Sequence, residues 1–437
     1  MSLVLLLLLA AGPPPDRTAE ARRFVDQLAR GDFAGATAMY DDAMRAALPE
    51  PRLREAWSAV NAQAGPFQRQ EGARVERAGA YQTVFVTIRF EKTALDIKVV
   101  FDDNGRVAGL FFAPTSAAPP SRWEAPGYCR AGSYTEREVT AGDRLWPLPG
   151  TLSLPAGRGP HPALVLVHGS GPQDRDETLG PNKPFADLAC GLATRGVAVL
   201  RYDKRSLRYG TKLLAGPPFT VKEEVIDDAL AAVDLLRADP AVDPKRVYLL
   251  GHSLGGMLAP RIAQQTRALA GLVVLAGNTR PLPQLIVRQL DYINREGGGG
   301  NTTEERVERM KQEMNLMAEL RAVESLTPEQ ADSTQLVLGA PPAYWLDLRA
   351  YQPAETARGL TQRLLVLQGE RDYQVTMDDF KGWQQALRGR ANATLKSYPD
   401  LDHLLIAGKG SSLPADYQRP DHVAEPLVDD IADWVKR

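Results

Sequence analysis

Gly251-His252-Ser253-Leu254-Gly255-Gly256 constrains this chain more than any other stretch. An apolar run with strand character, Arg246-Val-Tyr-Leu-Leu250, leads into it, and a helix-compatible run, Met257 to Gln265, leads out. A strand that turns at once into a helix holds the corner residue in strained backbone geometry and lifts its side chain above the sheet. Gly251 and Gly255 flank that corner, where a side chain would collide across so tight a turn. The corner residue is Ser253. The free N–H groups of the helix behind it face any negative charge that forms there. Such a feature belongs in a sheet whose strands alternate with helices.

The chain from about residue 122 onward reads as that sheet. Ala163–Val167, Val197–Leu200, Val247–Leu250, Leu272–Leu275 and Leu364–Leu367 are continuous apolar runs. Between them, Phe185–Ala193 and Val221–Leu236 have the spacing of helices. Apolar strands separated by helices predict an α/β fold with a mostly parallel sheet covered on both faces. Ligands in such sheets bind beyond the carboxyl ends of the strands. One segment breaks the alternation. Roughly ninety residues separate Leu275 from Leu364, too many for a connecting loop. They contain helical stretches, Leu285 to Arg295 and Glu304 to Ala322, joined by Gly297-Gly-Gly-Gly300. The expectation is a helical cap over about 280–355, with the helically spaced Met310, Met314 and Met317 as packing inside it.

At 437 residues the chain is long enough for two domains. Residues 17–115 read as a small α+β domain: helical spacing over Ala19–Leu28 and Leu53–Val60, then strands at Tyr81–Phe90, Leu95–Phe101 and Val107–Phe112. Asp103-Asn104-Gly105 is a hairpin turn between the last two. This part holds no histidine and no cysteine, and nothing in it looks catalytic. A Pro/Ala/Ser-rich linker, Pro114 to Ser121, separates it from the α/β part. Ahead of it, Leu3–Leu9 followed by Ala10-Ala11-Gly12 and three prolines has the form of a secretory signal peptide over residues 1–15. The run is too short to span a bilayer, and no cysteine follows it to carry a lipid anchor. The expected location is secreted or periplasmic.

A net charge of −2 gives no reason to expect nucleic acid or an anionic membrane as partner. The two cysteines, Cys129 and Cys190, cannot form a disulfide framework; they could make one bridge, but nothing in the sequence requires it, and two buried thiols is the preferred reading. No Cys/His cluster has metal-ligand spacing.

A serine hydroxyl becomes a nucleophile when a histidine takes its proton, and a carboxylate must orient that histidine. After a corner serine the order along the chain is acid, then histidine. Five histidines allow elimination: His161, His168 and His252 come too early, which leaves His403 and His422. His403 follows the strand-like Thr394–Tyr398, where a base belongs, whereas His422 opens the C-terminal helix as a surface residue. The acid should follow a late strand. Leu364–Gln368 runs into Gly369-Glu370-Arg371-Asp372, so Asp372 is the candidate and Glu370 its rival. Two backbone donors must face the developing oxyanion: Leu254, after the nucleophile, and Ser170 in His168-Gly169-Ser170-Gly171, with Gly169 as its rival. His168 reads as a brace of that loop. Asp174–Glu177 and Arg201–Arg205 read as a salt-bridged rim, with an anion-binding Lys204 or Arg205 as the sharper alternative.

With these residues in place the chain resembles bacterial α/β-hydrolases of the serine carboxylesterase type, in the dienelactone-hydrolase-like superfamily, in a branch that carries a small extra N-terminal domain. The resemblance rests on Pro147–Pro155, His168–Asp176, Leu200–Arg205, Gly251–Gly256, Gly369–Asp372 and Asp402-His403. It implies hydrolysis of short-chain carboxylic esters, with a small-molecule ester as partner and no metal or organic cofactor. The N-terminal part resembles nuclear-transport-factor-like or cystatin-like modules, which implies no role for it. Two other readings stand beside the esterase. The same triad serves a peptidase or an acyl-thioesterase. Alternatively the N-terminal domain is a binding or homodimerising module, and the hydrolase is accessory to it.

Overall fold

The computed structural model describes residues 16–78, 81–102, 104–114, 123–296 and 303–437. The apolar N-terminal run, nearly all of the linker and the glycine run at 297–300 lie outside the described residues. The chain divides into two units, with the boundary between Pro120 and Ser121.

In the first unit, the helix Thr18–Arg30 buries Ala21, Phe24, Val25 and Leu28, whose spacing places them on one face. That face packs on an antiparallel sheet of strands β1 (Phe67–Ala78), β2 (Tyr81–Phe90), β3 (Ala94–Phe101) and β4 (Val107–Pro114), in that order. Alternate residues of β2 and β3, among them Val86, Ile88, Ile97 and Val99, point into the core. Each such side chain stabilises by about 1.5–3 kcal/mol when fully buried. Asp102 closes the β3–β4 turn by accepting from the N–H of Gly105 and of Arg106. The short helices Phe33–Ala38 and Asp42–Ala47 are missing from the sequence reading, and so is the strand β1. Its twelve residues are mostly Gln, Arg, Glu and Ala, and pairing with β2 rather than an apolar pattern holds them extended.

The second unit is built on an eight-stranded sheet: β5 (Tyr134–Ala141), β6 (Leu148–Pro155), β7 (His161–Val167), β8 (Ala198–Tyr202), β9 (Val242–His252), β10 (Gly271–Leu275), β11 (Arg363–Gly369) and β12 (Ala393–Tyr398). The spatial order is β12-β11-β10-β9-β7-β8-β6-β5. The β5–β6 and β6–β8 pairs are antiparallel and the others parallel. Each apolar run is buried on both sides. In β7, Val165 and Val167 join one core cluster and Leu164 and Leu166 the other, and the same alternation runs through β9, β10 and β11. Helices Asp227–Ala238, Leu254–Gln264 and Met377–Ala386 cover the first face, and Pro184–Thr194 and Glu425–Lys436 the second. The chain leaves β7 toward β8 on one side and leaves β9 toward β10 on the other. Between the carboxyl ends of β7 and β9 the sheet therefore opens a crevice, the position where α/β sheets bind ligands.

Cys129 and Cys190 correct the sequence reading. They form a disulfide, with Cα atoms 5.3 Å apart, rather than two buried thiols. The residues between them fold back so that the segment before β5 lies along helix Pro184–Thr194. Asp187, one turn before Cys190, gathers the indole N–H of Trp123 at 2.9 Å and the N–H of Val423 at 2.9 Å.

The segment between β10 and β11 forms helices Leu282–Glu296, Thr303–Ser325, Pro342–Ala350 and Pro353–Arg358. The expected packing role of Met310 and Met314 is also corrected, since they are 61% and 65% exposed. Among the described side chains of Thr303–Ser325, the buried ones are Leu320 and Val323, near its carboxyl end. Among the described residues no helix is long and apolar enough to cross a membrane.

Candidate active site

At the end of β9 the chain turns at Ser253, whose φ of 53° and ψ of −116° lie in the left-handed half of backbone space. Such a residue costs roughly 1–3 kcal/mol unless its surroundings hold it. They do: the Ser253 N–H donates to Leu275 O at 3.0 Å, and the next residue begins helix Leu254–Gln264. The flanking glycines are required by contact. A Cβ on Gly251 would stand 2.1 Å from Gly255 O, and one on Gly255 would stand 2.2 Å from Val167 O.

Asp372 follows the end of β11 and is 4% exposed. Its Oδ1 accepts the backbone N–H of Gln374 at 2.8 Å and of Val375 at 2.9 Å. Its Oδ2 accepts Gln368 Nε2 at 3.1 Å and faces His403 Nδ1 at 2.7 Å. A carboxylate can only accept, so Nδ1 carries the proton and Nε2 is left with its lone pair free. His403, 5% exposed, rides on the loop after β12. Glu370, the rival acid, is exposed and accepts Ser397 Oγ at 2.7 Å. His422 contacts Asp187 at 3.2 Å and lies outside this constellation.

The loop after β7 passes beside the serine. A Cβ on Gly169 would stand 3.2 Å from Ser253 Cβ and 3.7 Å from its Oγ. The Gly169 N–H is committed to Glu177 Oε1 at 2.6 Å. From the other side, Lys204 Nζ donates to Gly169 O at 2.8 Å and Gly171 O at 3.0 Å. Lys204 is also paired with Glu224 at 3.3 Å, and Tyr344 Oη donates to Glu224 at 3.0 Å. His168 is wedged between Phe185 and Tyr202, with ring centroids 5.1 Å and 5.4 Å away. Burial pulls its pKa down to about 4 and keeps it neutral.

The charged segments near these strand ends are salt-bridged, as read from the sequence. Arg175 meets Asp203 and Glu138, Arg201 meets Asp176 and Glu136, and Arg205 forks onto Asp228. Lys204 and Arg205 are thus both engaged within the protein. Two residues enter the site unforeseen: Glu177, read from the sequence as part of the salt-bridged rim, and His252, which was given no role. Glu177 turns inward from its salt-bridged neighbours, and His252 lies between Glu177 and His403. Neither carries a signal of its own: Glu177 stands in an acidic run, and His252 fills the variable position of the glycine motif.

A cavity of about 460 Å³ is lined by both Ser253 and Ser170. Its walls are apolar: Leu213 and Phe219 come from the body, and Leu285, Ile286 and Trp345 from the segment between β10 and β11. Glu224 brings a carboxylate to that wall. Among the described residues no group of three His, Cys, Asp or Glu could hold a metal ion. The arrangement sets a serine at positive φ on the wall of an apolar cavity and, at neighbouring strand ends, a histidine whose Nδ1 rests on a buried carboxylate.

Residues 164–409 match the family described as the alpha/beta hydrolase family, and residues 21–110 match a family described as a protein of unknown function, DUF3887. Esterase EstD of Thermotoga maritima is 38% identical over 416 residues, which cover 95% of this chain and 94% of that protein. Among solved structures, an esterase of Pyrococcus furiosus has a TM-score of 0.44 at 15% identity, over 74% of this chain and 98% of that one. The 2,6-dihydroxy-pseudo-oxynicotine hydrolase has a TM-score of 0.42 at 18% identity, over 68% of this chain and 66% of that one.

Proposed function

The chain belongs to the α/β-hydrolase family as a carboxylesterase-type enzyme, and we propose that it cleaves its ester through Ser253, His403 and Asp372 by way of an acyl-enzyme. The observation that carries the proposal is the buried 2.7 Å contact between His403 Nδ1 and Asp372 Oδ2, in the same strand-end cluster as a serine held at positive φ. His403 Nε2 takes the proton as Ser253 Oγ attacks the ester carbonyl. The N–H groups of Leu254 and Ser170 hold the oxyanion, and each such donor is worth about 10²–10³ in rate. Collapse of the tetrahedral intermediate expels the alcohol, which leaves with the proton from His403. Water, deprotonated by His403, then attacks the acyl carbonyl and releases the acid and Ser253. The segment between β10 and β11 acts as the cap, and its apolar wall suits uncharged short acyl groups.

The test is Ser253→Ala. Hydrolysis of p-nitrophenyl acetate should fall by about four orders of magnitude or more with the fold intact. Full activity in that variant would remove Ser253 from the mechanism.

The disulfide and the apolar run Leu3–Leu9 together support an exported, oxidised protein. In its native host the protein should be found outside the cytoplasm, bridged, with the apolar run removed. A cytoplasmic protein with Met1 intact and both thiols free would contradict this.

A further inference from the structure

Glu177 and His252 lie behind the reacting atoms, and the reaction as described leaves both unused. His252 Nε2 is 2.9 Å from His403 O, an atom that can only accept, so Nε2 carries a proton. Glu177 Oε1 accepts the Gly169 N–H at 2.6 Å. The remaining pair, His252 Nδ1 and Glu177 Oε2, are 2.8 Å apart. Two bare lone pairs at that distance would repel, so a second proton sits between them, although the contact is bent away from the ideal hydrogen-bond line. The resting pair is an imidazolium and a carboxylate. Burial works against the charge on each, yet the pair prevails: His252 is held above the ordinary histidine value and Glu177 below the ordinary carboxylate value. Both side chains are 5% exposed, so neither serves to solubilise a surface.

We propose that Glu177 and His252 are positioning residues for the ester hydrolysis, a buried strut that ties the oxyanion loop at Gly169 to the backbone of the base His403. The proposal rests on the roles given above to Ser253, Ser170 and His403. The strut has one end on each half of the machinery. Gly169 precedes the donor Ser170, and its N–H is fixed by Glu177 while Lys204 fixes its carbonyl. At the other end His252 adjoins Ser253 in sequence, and its ring lies 4.7 Å from the ring of His403. The groups that face this pair are His168 and Lys204 on the Glu177 side, and His403 and Asp372 on the His252 side. The imidazolium of His252 stands between Glu177 and His403, so His403 feels the positive charge more strongly than the negative one.

The test is steady-state hydrolysis of p-nitrophenyl acetate by the full chain, comparing E177D and E177Q with the unaltered protein and S253A. The carboxylate of E177D is one methylene too short to reach both Gly169 and His252. Its kcat should fall about 10- to 100-fold, with KM within about threefold. E177Q can accept from Gly169 and donate to a neutral His252, so its kcat should stay within about fivefold. With the imidazolium charge gone, His403 becomes easier to protonate, and the acid limb of the E177Q pH profile should move up by about half a unit or more. A folded E177D with kcat within twofold of the unaltered protein overturns the proposal. If E177D does not fold, the pH profile of E177Q decides, and an unmoved acid limb overturns the proposal. Activity surviving in S253A contradicts the esterase mechanism itself, whatever the Glu177 variants do.

Discussion

Asp372 serves as the partner of His403, and Glu370 does not, because of what surrounds each carboxyl group. Asp372 receives two backbone N–H groups and the Gln368 amide, so one geometry holds it, whereas Glu370 reaches out to Ser397. Asp372→Asn keeps the shape but lets the amide donate, which favours the wrong tautomer of His403, and kcat should drop by about 10³–10⁴. Glu370→Ala should leave kcat within about twofold, and one set of rate measurements checks both variants. Ser253, His403 and Asp372, the residues proposed to react, could be singled out in the chain because each follows a strand and their order admits few alternatives. Ser170 and Gly169 could not be separated that way, since the choice turns on the Glu177 carboxylate reaching the Gly169 N–H. Glu177 itself was illegible: four charged residues in a row look alike until the fold buries one of them.

At the scale of elements, the strand-to-helix corner is the least tolerant part of the fold. Gly255→Ala would drive a methyl group against Val167 O at the end of β7, with backbone on both sides and no flexible neighbour to yield. Chemical denaturation should show a loss of about 3 kcal/mol or more, or no folded protein at all. Helices Leu282–Glu296 and Pro342–Ala350, between β10 and β11, have a different role, since they wall the cavity. Ile286→Trp should fill the cavity and reduce kcat/KM for p-nitrophenyl hexanoate by about tenfold more than for the acetate. An equal effect on both esters would show that the acyl chain lies elsewhere. The buried strands were readable as continuous apolar runs, because both faces of each are covered. β1 was not, because only one face of that sheet meets a core and the strand carries few apolar residues. Helical spacing placed Met310, Met314 and Met317 on one face but could not say that this face turns outward at Met310 and Met314.

Across the whole molecule, the α/β unit combines a double-faced core with one covalent tie. The Cys129–Cys190 bridge closes a separation of 61 residues, which in the chain-entropy picture stabilises the fold by about 4 kcal/mol. Cys129→Ala with Cys190→Ala should therefore lower the unfolding temperature while leaving kcat at ambient temperature unchanged, because neither cysteine lines the cavity. Two cysteines in a long chain say nothing of their distance, and the bridge became visible only with the path of residues 123–133. Under the proposed mechanism Ser253 carries the acyl group between two half-reactions. Rapid acid quench of the enzyme mixed with p-nitrophenyl acetate, followed by peptide mapping, measures this directly. A burst of p-nitrophenol is expected, with an acetyl group on the peptide containing Ser253, at that serine. Turnover with no acetylated peptide, or with the acetyl group on another residue, would contradict that mechanism.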